Sequence, residues 1–298
     1  MSESVPIGDM ASPSFVRLPD PLALFTLRAG RLRALSGGHR LAPYLAFLAA
    51  LADAQHAVQD GLVEPEMPSP EARERAREFA MPPLDRSRSP VEPAADVVLC
   101  RLLSLAHGID MPDDARAAVD RVADAGPDAR SRMVRAVLAD AIPADALAEH
   151  VYVAAALQVV FARLAAGLAA DRLVPVANGA CPVCGGPPVA SLLVGWPGAH
   201  GTRFCSCALC GTLWNYVRIK CVLCGSTKGI SYREIDGGGG IVQAETCTSC
   251  RGYVKILNQQ KDPDVEAVAD DVASLGLDLL VRDEGFRRGA VNPFLLGY

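Results

Sequence analysis

The chain has 298 residues, 50% of them hydrophobic and 21% charged, with a formal net charge of −5 at pH 7. That length accommodates two ordinary domains, or one domain with an appended module, and the apolar share is enough for a sizeable core. The balance excludes a disordered chain, and its mild acidity gives no whole-chain reason to expect a nucleic-acid partner.

In chain order, the opening MSESVPIGDMASPSFVRLPDP lacks both a basic n-region and an apolar h-region, so no secretory signal is read there. A cytoplasmic location is expected, where ten cysteines meet a reducing milieu that favours metal ligation over disulfides. A helix is predicted over 21–35, stopping at Gly37-Gly38, and a second over 41–59, with Leu45, Leu48, Ala52 and Gln55 at helical spacing. Residues 63–93 carry Pro65, Pro68, Pro70, Pro82, Pro83, Pro90 and Pro93 around a short charged helix, EARERAREFA, and read as a surface crossover. Helices resume over 94–107, 113–124, 128–140 and 144–170, with Val97, Leu99, Leu102, Leu103, Val134, Val137 and Leu138 facing a shared core. Cys100 lies on an apolar helix and reads as core. The segment Val151 to Ala170 approaches membrane-spanning length. Gln158 and Arg163 within it, Glu149 and Asp171 beside it, and its alanine content make it a buried bundle helix, with no membrane insertion expected.

After position 172 the texture changes to short β-type runs, VASLLVGW, GISYREI, GGIVQAET and GYVKIL, with GGGG at 237–240 as a flexible hairpin tip. Asp262 and Pro263 then read as N-cap and N1 of an amphipathic helix carrying Val265, Val268, Val272, Leu275 and Leu279 and ending near Gly285. Its acidic residues Glu266, Asp270, Asp271 and Asp278 read as a solvated face; for Asp270 and Asp271 a contact with the basic ribbon surface or a partner is the alternative. The final VNPFLLGY is expected to pack back as an extended tail.

Nine of the ten cysteines fall between 181 and 250. Eight form CxxC pairs, Cys181/Cys184, Cys207/Cys210, Cys221/Cys224 and Cys247/Cys250, and each member of the first two pairs recurs 40 residues later. So regular a repeat makes each copy a structural unit. The expected metal-ligand sets are therefore consecutive: Cys181, Cys184, Cys207 and Cys210, then Cys221, Cys224, Cys247 and Cys250. Two residues between cysteines let a tight turn aim both sulfurs at one point, and Gly185, Gly211 and Gly225 supply the positive φ that such turns require. Tetrahedral sulfur shells suit zinc and iron alike, and both rubredoxins and zinc ribbons are built from such knuckles. A closed shell leaves no position for hydrolytic chemistry.

Cys205 lies outside the repeat, since its counterpart 40 residues on is Glu245. It reads as a small buried residue, with a spare ligand or a redox-active thiol as alternatives. Between Arg172 and Gln260 eight Lys/Arg face three Asp/Glu, interleaved with Trp196, Phe204, Trp214, Tyr216, Tyr232 and Tyr253. Such a mixture can bind single-stranded nucleic acid, but compensation of thiolate charge accounts for it better. The histidines His39, His56, His107, His150 and His200 match no metal or triad spacing, and no enzyme motif is present.

CPVCG at 181–185, CALCGTLWNYVRIKCVLCG at 207–225, ETCTSCRGYVKILNQQKDPDVEAVADDVASLGLDLL at 245–280 and NPFLL at 292–296 resemble the formate dehydrogenase accessory protein FdhE family. HRLAPYLAFLAALADAQ at 39–55 and MPPLD at 81–85 are compatible with it. FCSC at 204–207 departs from the family pattern, in which no cysteine is expected at the position of Cys205. The resemblance implies a cytoplasmic, non-catalytic assembly factor for respiratory formate dehydrogenases that binds the catalytic subunit. It also implies two rubredoxin-like modules holding two iron ions on the eight repeat cysteines, zinc being the alternative. The expected architecture is α+β: an N-terminal α-helical bundle (1–171), tandem rubredoxin-like or zinc-ribbon-like modules (172–220 and 221–260), and a C-terminal helix and tail (261–298) packing on the body. A zinc-ribbon module that binds nucleic acid or protein is the competing function, and a free electron carrier a third.

Overall fold

The computed structural model describes residues 13–295. The reading of the extreme N-terminus over 1–12, and the end of the predicted tail at Leu296–Tyr298, lie outside the described residues.

The fold is α+β. Its helices α1 (Pro21–Ser36), α2 (Ala42–Ala57), α3 (Pro70–Glu78), α4 (Glu92–Ala106), α5 (Asp113–Asp124), α6 (Pro127–Leu138) and α7 (Leu147–Ala166) form the body. Local chemistry sets their ends. The Asp20 carboxylate accepts from the Leu22 and Ala23 amides with Pro21 at N1, and Ser69 caps α3 in the same way. Helix α7 sits in the middle. It is the described helix long and apolar enough to cross a membrane, and 78% of that stretch is buried inside the protein. Its polar residue Gln158 is also buried. It accepts from Arg28 of α1 and Gln55 of α2 and donates to the Ala208 carbonyl at 2.8 Å. Gln158 survives in this core because its amide oxygen and nitrogen both have partners.

Among the described residues eight strands form one sheet: β1 (Val16–Arg17), β2 (Pro188–Leu193), β3 (Arg203–Cys207), β4 (Leu213–Asn215), β5 (Ile230–Arg233), β6 (Val242–Cys247), β7 (Gly252–Asn258) and β8 (Arg287–Arg288). The order is β1-β4-β3-β2-β7-β6-β5, with β8 on β7. Each cysteine repeat is an antiparallel meander, β2-β3-β4 and then β5-β6-β7. The copies join through a parallel pairing of β2 with β7, Ser191 opposite Ile256, so the sheet runs unbroken through both. One hydrophobic core takes in α1, α2, α4, α7, the first cysteine set and β2; a smaller one holds Ala244, Tyr253, Leu277, Val281 and Phe286.

Several expectations are corrected. Val97 is 50% exposed and Cys100 is exposed too, because the buried stripe of α4 runs through Ala95, Val98, Leu99, Leu102, Leu103 and Ala106. The predicted C-terminal helix is two, α8 (Ala267–Ala273) and α9 (Leu275–Asp283), meeting at Ser274. Glu266, not Asp262, caps α8 by accepting from Val268 and Ala269, while Asp262 turns to Arg31 of α1. Asp270, Asp271 and Asp278 are buried rather than solvated, and for Asp271 the alternative, contact with a basic residue of the ribbon, is what the structure shows. Asp270 pairs with Arg31 at 2.6 Å, and Asp271 and Asp278 surround Lys255 of β7 and Arg288 of β8. Spacing alone cannot distinguish an acidic face that meets water from one that meets buried cations. The glycine tip is held by Lys261 Nζ, which donates to the Gly239 carbonyl at 2.6 Å. The tail turns at Pro293-Phe294, and the Phe294 carbonyl accepts from Tyr44.

Candidate metal centres

Each CxxC turn is built in the same way in both copies. Gly185 N–H donates to Cys181 O, and Cys181 N–H to Gly186 O; Gly225 to Cys221 and Cys221 to Ser226 repeat this at matching distances of 2.8–2.9 Å. The residue after each second cysteine has a left-handed backbone: Gly185 (φ 74°), Gly211 (73°), Gly225 (73°) and Arg251 (58°). The fourth position shows that the turn, not glycine itself, is what recurs. Arg251 stays there with its guanidinium bonded to the Glu284 and Gly285 carbonyls and stacked 4.6 Å over the Phe286 ring.

These turns bring together Cys181, Cys184, Cys207 and Cys210 in one group and Cys221, Cys224, Cys247 and Cys250 in another, the sulfurs of each group lying within 4.8 Å of one another. The closest approaches are 3.6 Å (Cys181–Cys210), 3.4 Å (Cys184–Cys207), 3.9 Å (Cys221–Cys250) and 3.8 Å (Cys224–Cys247). Four sulfurs about 2.3 Å from a central ion would stand about 3.8 Å apart at the edges of a tetrahedron. Both groups therefore fit a tetrahedral ion, and the donor set suits zinc or iron. Amides already point at the sulfurs, as Val183 N–H does at Cys181 and Leu209 N–H at Cys207, both at 3.4 Å.

Burial and mutual hydrogen bonding act on the thiols unequally. Burial pushes the Cys181 thiol well above its ordinary value, and neighbouring thiols add to the shift. Cys207 suffers the same burial, yet hydrogen bonds from Cys181, Cys184 and Cys210 pull it well below. In the second cluster burial lifts Cys221 to about 12, while amides of Cys250 and Ser249 overcome it at Cys247 and bring that thiol to about 7.

The two clusters differ in their surroundings. All four cysteines of the first are buried, whereas Cys224 and Cys250 of the second are exposed. Segment 81–86 of the crossover lies against the first: Leu84 N–H donates to Val183 O at 2.9 Å and Arg86 N–H to Cys184 O at 3.0 Å. The Arg86 guanidinium pairs with Asp140. Burial opposes its charge, but Asp140 and the sulfurs of Cys184 and Cys207 hold it above its ordinary value.

Cys205 belongs to neither group. It is buried on β3 with its sulfur 3.6 Å from Ser191 Oγ, and burial pushes its thiol up. Its repeat counterpart Glu245 does what no motif announced: the carboxylate is buried and pairs at 2.9 Å with Arg203, itself fully buried on β3. Arg203 also donates to Ser191 Oγ and to the Lys220 carbonyl. Arg203 and Lys255 thus spend their charges on buried carboxylates, which removes part of the basic excess seen in sequence. Phe204, Trp214 and Tyr253 are buried as well, so they offer no surface on which bases could stack. The histidines stay apart. His107 faces Asp120, His150 the Ala146 carbonyl, His56 Thr26, His39 the Leu41 amide and His200 Gln260. The signal that could have revealed the Arg203–Glu245 pair is a break in the repeat, a carboxylate standing where the first copy has Cys205.

Comparison with known proteins agrees with this architecture. Models of the FdhE N-terminal, central and C-terminal domains match residues 13–178, 180–218 and 219–295. The chain is 46% identical over 294 residues to the "Protein FdhE homolog" of Rhizobium meliloti (strain 1021), spanning 98% of this chain and 96% of that one. It is 33% identical over 284 residues to the homolog of Proteus mirabilis (strain HI4320), spanning 94% and 90%. The crystal structure of the FdhE protein from Pseudomonas aeruginosa superposes with a TM-score of 0.84 at 32% identity, covering 95% of this chain and 99% of that one.

Proposed function

The chain belongs to the FdhE family, and from that premise we propose that it is a non-catalytic cytoplasmic factor needed to mature formate dehydrogenase, whose catalytic subunit it binds. In this reading Cys181, Cys184, Cys207 and Cys210 hold one metal ion, Cys221, Cys224, Cys247 and Cys250 a second, and iron is the favoured metal. The observation that carries it is the pair of four-sulfur clusters fixed on one sheet and fused to a helical body.

Iron in such a shell supplies one-electron exchange with little change of geometry, whereas zinc supplies a cross-link alone. The chain's own residues do the rest. The knuckle amides stabilise the thiolates, Arg86 balances charge at the first cluster, and Gln158 ties the Cys207–Cys210 knuckle to the centre of the body. All four ligand positions being sulfur, the shell has no place for a substrate or a hydrolytic water.

Deletion of the gene, with the formate dehydrogenase subunits still made, should abolish formate oxidation, and the purified protein should retain the catalytic subunit in a pull-down. Normal formate oxidation in the deletion strain would overturn the assignment. Protein prepared without air should show visible thiolate-to-iron absorption that bleaches on reduction. A colourless preparation with two zinc ions, together with salt-sensitive retention of RNA or DNA on filters, would favour the zinc-ribbon reading instead.

A further inference from the structure

The two clusters share a repeat but not an environment, and the difference comes from the helical body. At the first, a Cβ on Gly211 would stand 2.8 Å from the Leu24 side chain of α1, and one on Gly185 would stand 3.2 Å from Pro82 of the crossover. Those two elements pack against the knuckles, and all four cysteines there are buried. At the second, the position matching Gly211 is Arg251, which is exposed, and the position matching Gly185 is Gly225, where a Cβ would stand 2.7 Å from Asn178; that neighbour is itself an exposed side chain, so this knuckle is flanked but not sealed. Cys224 and Cys250 stand in solvent beside them.

We infer that the second cluster is an exchange site, open to an incoming metal-binding donor along the flank formed by Cys224 and Cys250, and that the first is a sealed, permanent centre. This rests on the reading that both clusters hold metal. Exchange at a closed sulfur shell requires an incoming ligand to reach the ion as one thiolate lets go and takes up a proton; no electron moves. Cys224 and Cys250 can be displaced outward without disturbing the body. Releasing Cys181, Cys184, Cys207 or Cys210 requires α1 or the 81–86 segment to open first, and local openings of packed elements are rare. The site fits a thiophilic divalent ion, ferrous iron or zinc, delivered or removed by a thiol-bearing or chelating carrier, while the first cluster serves to fasten the sheet to the helices.

The test uses the full chain loaded with two equivalents of zinc, challenged with excess 4-(2-pyridylazo)resorcinol, and alkylated with iodoacetamide as release proceeds. One equivalent should leave at least roughly tenfold faster than the other. Peptide mass spectrometry at that stage should find alkylation on the set Cys221, Cys224, Cys247 and Cys250, while Cys181, Cys184, Cys207 and Cys210 remain protected. Release of both equivalents in a single phase, or early alkylation of the first set, would overturn the inference. Inability of the folded protein to take up two equivalents would instead overturn the metal-binding reading beneath it.

Discussion

Arg203 and Glu245 form an ion pair 2.9 Å long that joins the two cysteine repeats, both side chains being almost entirely out of solvent. Glu245 also accepts from Tyr232, and burial pushes its carboxyl above the ordinary range against the pull of Arg203. A pair this deep is costly to half-remove, because the surviving charge has nowhere to go. Glu245→Ala should destabilise the protein by about 3–5 kcal/mol. Combining it with Arg203→Met should recover much of that loss. Urea denaturation of the single and double variants measures both, and a single variant as stable as the parent would contradict this account.

Lys255 makes a parallel case at the C-terminal helices. Its ammonium lies 2.5 Å from Asp278 and 3.3 Å from Asp271, and it also donates to the Asp271 and Ser274 carbonyls. Lys255→Met would leave Arg288 alone between two buried carboxylates. We expect a loss of about 3–5 kcal/mol, with hydrogen exchange accelerated first in α8 and α9.

Gly211 tests the knuckle. Its left-handed backbone (φ 73°) and the nearness of Leu24 leave no room for a side chain. Gly211→Ala should cost about 1–2 kcal/mol from the backbone alone, and the close contact with α1 adds to it. Because the strain falls on the turn holding Cys207 and Cys210, the first metal should become easier to extract. A thermal melt unchanged from the parent would show that the turn relaxes freely.

Metal uptake should be strongly linked to pH. Cys181 and Cys184 both titrate well above their ordinary value in the ion-free cluster, so they carry protons at neutral pH. Ligation must expel those protons, hence affinity falls as pH falls. Calorimetric titration of the metal-free protein in buffers of different ionisation enthalpy should register the release of at least the protons of Cys181 and Cys184 from the first cluster. Uptake without proton release would contradict the assigned protonation.

The helical body, the meanders and the grouping of the eight cysteines are legible in the sequence because each leaves a local, periodic trace. Apolar residues at helical spacing mark α2 and α7, and a strict 40-residue offset marks the repeats. What escapes is fixed by contacts between distant segments. Asp270 and Asp271 look like a wet helix face until Arg31 and Arg288 are placed beside them, residues 239 positions upstream of Asp270 and 17 downstream of Asp271. The two-residue strands β1 and β8 have no pattern of their own and exist because an edge was free to pair. The burial of one cluster and the partial exposure of the other are equally invisible, since the cysteine spacing is the same in both and the elements that cover the first, the crossover and α1, lie far away in sequence.

The parallel pairing of β2 with β7 sets the first strand of one repeat against the third strand of the other, so the copies are related by translation rather than by a two-fold axis. A translational series has no symmetry element to end it, and a further copy could in principle add at either edge, which is how open filaments begin. The molecule terminates the series itself. Val16–Arg17 from the N-terminal segment occupies the β4 edge, while the opposite edge is the four-residue β5, ending on Arg233 with Glu234 following. Loss of the β1 pairing, for instance by Val16→Pro, would therefore turn a finite sheet into a candidate for edge-to-edge polymerisation.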